Sequence, residues 1–277
     1  MHRLLITLVV SLIPLVSLAA DPPQFIRSAV DSEHRSPENR ARDAYRHPAQ
    51  TLAFFGLRPD MTVVEMWPGK GWYTEILAAA LHGNGRLYAA QYDPNPVAGY
   101  QRRYYGAFLT MLGENPDRYR DVTVTTFYPP YSLQIAPKGS ADMVLTFRNL
   151  HNWIGDQRKD GMSASLAFRA MYDALKPGGI LGITDHRWPE DSSDADPFNT
   201  GYMKASEAIA LAEAAGFKLE ARSEINANAL DTRNYEQGVW TLPPSLALGD
   251  KDREKYIAIG ESDRFTLKFI KPVVPDS

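Results

Sequence analysis

The 277-residue sequence contains no cysteine. That absence removes disulfides, thiolate metal sites, cysteine nucleophiles and a lipidated N-terminal cysteine. An excess of one charge is also missing, since 30 Lys and Arg stand against 33 Asp and Glu without long runs of either sign. Nothing resembles the basic face of a nucleic-acid binder, so the expected partner is a small molecule. No repeat or low-complexity tract divides the chain, and 44% apolar residues suffice for one large core. Beyond the first twenty residues there is no long apolar run. Within them, Met1-His2-Arg3, the apolar stretch 4–18 and Ala19-Ala20 match the parts of a Sec-type signal peptide. The stretch is shorter than the ~20 residues that span a bilayer, which disfavours the competing reading, an uncleaved anchor. The expectation is cleavage near Ala19 or Ala20 and a soluble periplasmic or secreted protein without membrane contact. Oligomeric state is not legible.

Residues 21–50 form a polar arm in which Ser36-Pro37-Glu38 predicts a helix start and a helix over 37–45. A second helix opens at Pro48, carries Leu52, Phe54 and Phe55, and stops at Gly56. From 51 onward, short β-rich runs alternate with helical patterns, the signature of βαβ units and a mostly parallel sheet. Strands are predicted at 62–66, 86–91, 122–127, 143–147 and 180–184, with helices at 72–81, 163–175 and 205–215. Lys176-Pro177-Gly178-Gly179 reads as a turn. The runs 218–225 and 264–270 read as strands without a good helix between them, hence an antiparallel pair at one sheet edge. Their separation, 226–262, is long enough to suggest a functional insertion.

The first strand ends in Glu65-Met66-Trp67-Pro68-Gly69-Lys70-Gly71-Trp72-Tyr73-Thr74, and a helix follows. Glycines at such a crest let the backbone turn sharply and approach a nucleoside or nucleotide. Thr74 occupies the place of the third glycine of a dinucleotide fingerprint, which disfavours NAD and FAD.

Pro68-Gly69-x-Gly71-Trp72-Tyr73-Thr74-Glu75-Ile76-Leu77, Leu175-Lys176-Pro177-Gly178-Gly179 and Asp185-His186-Arg187 resemble a family of exported class I S-adenosylmethionine (SAM) methyltransferases. The resemblance extends to Arg42-Asp43-x-x-Arg46-His47-Pro48, Phe54-Phe55-Gly56, Ala215-Gly216-Phe217 and the segment 264–272, nearly the whole mature chain. It implies an α/β, Rossmann-like domain of seven strands, mostly parallel with the last antiparallel, with helices on both faces and an N-terminal helical cover. It also implies SAM as cofactor. Carried over residue by residue, Glu65 is the acid of the first motif, Gly69 and Gly71 are its second and third glycines, and Gln91 stands where an acid binds ribose. Trp67 replaces the first glycine, where its indole would crowd the methionine end of SAM. Asp93, two residues beyond Gln91, points to the same side if the strand continues. Pro68 and Thr74 complete the implied cofactor loop.

Further polar clusters fall at strand ends. Arg148-Asn149-Leu150-His151-Asn152-Trp153 follows the fourth strand and resembles the methyltransferase segment that borders cofactor and substrate; plain capping by Asn149 and Asn152 is the alternative. Asp185-His186-Arg187-Trp188 follows the fifth, so Asp185 can orient His186 as a general base, with a salt link among Asp185, Arg187 and Glu190 as the rival reading. His151 is a second candidate base. Two histidines so far apart in sequence are weak evidence for a metal, and none is expected. Arg42, Asp43 and Arg46 share one side of the arm helix, so an arginine there can reach a substrate anion. Trp67, Trp72 or Tyr73 can face a sulfonium. Methyl transfer to a small molecule is the leading expectation. A binding protein that keeps the fold without the chemistry is the second, and a metal-dependent hydrolase the third.

Overall fold

The structure, a computed structural model, describes residues 21–96, 98–156, 164–192 and 195–273. The expected signal peptide and its cleavage site lie outside the described residues. Among the described residues eight strands are formed: β1 (Thr62–Met66), β2 (Arg86–Gln91), β3 (Val122–Thr126), β4 (Ala141–Phe147), β5 (Leu175–Trp188), β6 (Met203–Lys204), β7 (Lys218–Ser223) and β8 (Arg264–Ile270). Their order is β3-β2-β1-β4-β5-β8-β7, with the two-residue β6 attached beside β5. β1 lies parallel between β2 and β4, placing Glu65 opposite Ala89 on one side and Leu145 on the other. Only β8 is reversed, running antiparallel to both β5 and β7. The expected antiparallel pair is thus β8 with β7, β8 being the inner member.

Both faces of the sheet are covered, which is why its central strands are apolar on both sides. Val63 and Leu145 pack on one face with Leu52 and Phe55 of the helix Pro48–Phe55 and Ile76 and Leu77 of the helix Trp72–Leu81. Their neighbours Val64 and Met66 point to the other face, toward Phe168 and Met171 of the helix Ala164–Ala174 and Ala208 of the helix Ala205–Ala214. The alternation of the strand therefore distributes one sequence run between two helical layers.

The arm departs from expectation. Instead of one helix over 37–45 there are two of four residues each, Pro37–Arg40 and Asp43–Arg46. Ser36 caps the first by accepting from the Asn39 N–H at 3.1 Å, but so short a helix has little stability of its own. Ion pairs leave the broken segment in opposite directions: Asp43 to Arg35, and Arg42 and Arg46 to Glu261. A helix at Gln24–Val30, not expected, packs Ile26 onto the same apolar layer as Leu77. The segment Lys176 to Gly179 belongs to β5 as an irregularity, since Leu175 pairs with Ala141 and Ile180 with Met143. The insertion 226–262 contains a helix, Arg253–Ile259, where none was expected.

Candidate functional site

The glycine loop takes a left-handed backbone at three alternate positions, Trp67 (φ 42°), Gly69 (φ 63°) and Gly71 (φ 92°). For a tryptophan this conformation costs about 1–2 kcal/mol, so neighbouring contacts must hold it. They are visible. The indole Nε1 donates to the Phe127 carbonyl at 3.0 Å, and the ring meets Tyr92, Trp153 and Phe127 at centroid distances of 5.0, 5.5 and 6.2 Å. The indole does not cover Gly69: a Cβ added there would meet nothing nearer than Tyr104 at 3.8 Å. The aromatic cluster holds Trp67 toward the ends of β2 and β3.

Glu65 is buried, and its carboxylate accepts from the Thr74 hydroxyl at 2.6 Å. Among the described residues no cationic nitrogen lies within 4 Å of it, and burial pushes its carboxyl up to about 8 against the opposing Thr74 hydrogen bond. Gln91 is buried and turned toward the backbone. Its Nε2 donates to the Gly69 carbonyl at 2.9 Å and its Oε1 accepts the Tyr92 N–H at 3.0 Å, so each end of the amide is engaged by the backbone. Asn149 is a second brace, donating to the Met66 carbonyl at 2.8 Å. Asp93 is half-exposed and uses Oδ1 for the Asn95 N–H. Pro68 contributes its carbonyl to the Gly71 N–H at 3.0 Å.

Tyr73 links this loop to a second polar site. Its ring stacks on Phe147 at 3.5 Å and 9°, and the pair lines a tight cavity, without a water-sized void, together with Arg46, Arg148, Thr184 and Arg264. Arg46 of the arm lines this cavity, and Arg42 and Arg46 converge on one carboxylate. Both Nε groups donate to Glu261, at 2.8 Å from Arg42 and at 3.0 and 3.2 Å from Arg46. Arg264 adds a third donor to the same carboxylate at 3.2 Å. Burial alone would push Glu261 up, but the guanidiniums of Arg46, Arg264, Arg148 and Arg42 outweigh it and hold the group well below the usual carboxylate range.

The histidines sit at the same end of the sheet, but their partners differ from those expected. Asp185 orients His151, not His186: His151 Nδ1 meets Asp185 Oδ1 at 2.8 Å. A carboxylate only accepts, so Nδ1 carries the proton and the lone pair lies on Nε2. His186 instead pairs through Nδ1 with the Ser262 hydroxyl, its ring 5.0 Å from that of His151. Burial, then His151 and the guanidiniums of Arg148, Arg264 and Arg46, hold His186 well below the ordinary histidine range. The salt link imagined among Asp185, Arg187 and Glu190 is absent; Arg187 pairs with Asp263 and Glu224, and Glu190 accepts from Ser206.

His151, Asp185 and His186 offer three candidate ligand atoms within 4.8 Å of one another. As a cation site the set is poor. Asp185 already accepts from the backbone N–H groups of Leu150 and His186 and from His151, and the guanidiniums of Arg148, Arg264 and Arg46 act on the adjoining His186. Sequence reading missed Arg148, Glu261, Ser262 and Arg264 as site residues. Arg148 directly follows β4, and that position at a strand's carboxyl end was the available signal.

No model of a known protein family matches this chain, and no curated protein sequence does. Solved structures do. A SAM-dependent methyltransferase from Aquifex aeolicus is 16% identical, with TM-score 0.53 over 89% of this chain and 96% of that one. The chain has the class I methyltransferase fold. The cyclase SpnF is similar at 18% identity and TM-score 0.53, covering 88% of this chain and 86% of its own. Phosphoethanolamine N-methyltransferase 2 of Haemonchus contortus, in complex with SAM, matches at 14% identity and TM-score 0.53, over 91% of this chain and 60% of that chain. The class I strand arrangement expected from the loop is therefore present, whereas neighbours with different printed activities share it, so chemistry rests on the residues.

Proposed function

We propose that this chain is a SAM-dependent methyltransferase acting on a small molecule. The observation that carries the reading is Glu65, a buried carboxyl without a cation, at the base of a loop with three left-handed positions and a following helix. A cationic ligand beside Glu65 would restore its charge, and Asp93 is the carboxylate left for a ribose once Gln91 is engaged. Bound there, SAM supplies an electrophilic methyl group. His151 Nε2 accepts a proton from the acceptor, while Asp185 fixes its tautomer and orientation. His151 is buried, and Trp240, whose ring lies 6.3 Å from its own, limits water around that base. Export belongs to the same proposal and rests on residues 1–20; a mature N-terminus near Ala20 or Asp21 is the expected mass-spectrometric result.

Calorimetry on the mature chain is the direct test. Saturable binding of SAM and S-adenosylhomocysteine is expected, weakened by Glu65→Gln and Asp93→Asn; no heat from either ligand at about millimolar concentration sinks the proposal. A second reading is a ligand-binding protein that keeps the fold without transfer chemistry. It is favoured by Trp67 at the first loop position and by the consumed Gln91 amide. Transfer of a radiolabelled methyl group to a small molecule in an extract would exclude it.

A further inference from the structure

The geometry points to a binding site for a small dianionic oxyanion, a dicarboxylate or a phosphate monoester, in the cavity where Arg46 and Arg148 face the stacked rings of Tyr73 and Phe147. Charge is the first argument. Arg42, Arg46, Arg148 and Arg264 gather around Glu261, and Asp185 is the other carboxylate acting on Arg148. Four guanidiniums against two carboxylates leave two positive charges in a buried place. His186 does not add to this, since burial and the neighbouring cations hold it neutral, and His151 donates its Nδ1–H to Asp185. Uncompensated charge away from water is costly unless a counter-ion arrives.

Donor accounting is the second argument. Glu261 already accepts from Arg42, Arg46 and Arg264, which uses most of its lone pairs. Arg264 also donates through Nε and Nη2 to the carbonyls of Ser262 and Tyr45, so each of its nitrogens already has a partner. Arg46 Nη2 and Arg42 Nη2, in contrast, are buried without a partner. Arg148 has no carboxylate within 4 Å among the described residues, and its backbone takes φ 62° to place the side chain at the cavity. Planar guanidiniums with unused N–H groups match the paired oxygens of a carboxylate or phosphate. Burial lowers Arg46 to about 9 and Arg148 to about 10, so both remain cationic at neutral pH.

Shape is the third. The six lining residues close on one another with no water-sized void between them, so the place admits a small anion only as these side chains part, and no nucleotide or peptide. The stacked Tyr73 and Phe147 present an apolar wall to a short carbon skeleton. As the methyl acceptor this dianion rests on the function proposed above; as a ligand it does not.

Calorimetry with succinate and with inorganic phosphate, using butane-1,4-diol as the neutral control, separates the two sources of the charge. One of the dianions is expected to bind at one site per chain and the diol not at all. Arg148→Gln weakens that binding by about tenfold or more, and Arg148→Lys restores part of it. Without ligand, Arg148→Gln raises the thermal midpoint by removing an unpaired cation, whereas a merely structural arginine would lower it. The site is overturned if neither dianion binds wild-type protein at about 10 mM. It is equally overturned if Arg148→Gln binds as wild type does, or fails to fold while the wild-type midpoint ignores both dianions at matched ionic strength. Dianion binding without SAM binding leaves this site standing and removes the methyltransferase reading; SAM binding without dianion binding does the reverse.

Discussion

At the scale of the residue, Glu65 makes the sharpest statement, because a carboxyl held up to about 8 ties stability to pH. The folded form prefers the protonated acid, so its contribution is complete below the unfolded value near 4.5 and is lost as pH rises toward 8. Glu65→Gln keeps an acceptor for Thr74 and cannot ionise. The variant is expected to gain in melting temperature relative to wild type at pH 8.5 and not at pH 4, measured by thermal unfolding across that range. A bound cation beside Glu65 would erase the difference, which makes the same comparison in the presence of SAM informative. Glu65 and Thr74 were readable because strand end and helix start place them nine positions apart around one turn. Gln91 and Asn149 were not, since their partners are the carbonyls of Gly69 and Met66, and side-chain spacing carries no record of backbone acceptors. Glu261 lies 215 positions from Arg46, beyond any local pattern.

Among elements, β1, β2 and β8 coincide with their expected bounds because apolar and β-branched runs there are closed by clear breakers. The helix Gly99–Glu114 escaped notice for the opposite reason: it is sixteen residues long, yet only Phe108 is buried, so its apolar periodicity is faint. That helix nevertheless lies against the loop. A Cβ at Gly71 would stand 2.6 Å from Met111 Cε and 3.2 Å from Phe108 Cδ2. The methionine tip is flexible and can yield, whereas φ 92° cannot be relieved by a neighbour. Gly71→Ala should therefore cost about 1–2 kcal/mol in denaturant unfolding, from backbone strain. Adding Met111→Ala should lower stability further; rescue by that second change would instead make side-chain collision the cause. The missed helix Arg253–Ile259 and the divided arm are both too short for a clear sequence pattern: the arm is held by long-range ion pairs to Glu261, and the helix buries Tyr256.

For the whole molecule, acid should act in two stages. His186 is neutral in the folded state, so its contribution is full above the unfolded value of 6.5 and drains away as pH falls below it. His34 and His47 shift in the same direction, so His186→Gln should flatten the decline in melting temperature between pH 6.5 and 5 without abolishing it. Glu261, depressed by four guanidiniums, contributes fully above 4.5 and is lost only in stronger acid. Glu261→Gln should accordingly weaken the protein at neutral pH, by about 3–5 kcal/mol, and differ least from wild type near pH 2, as read by unfolding at both pH values. The carboxylate that balances this site also ties together segments that lie on either side of most of the sheet in sequence. Arg42 and Arg46 precede the sheet, while Glu261 and Arg264 arrive after seven of its eight strands. During synthesis the arm therefore waits for its partner carboxylate until those seven strands have been made.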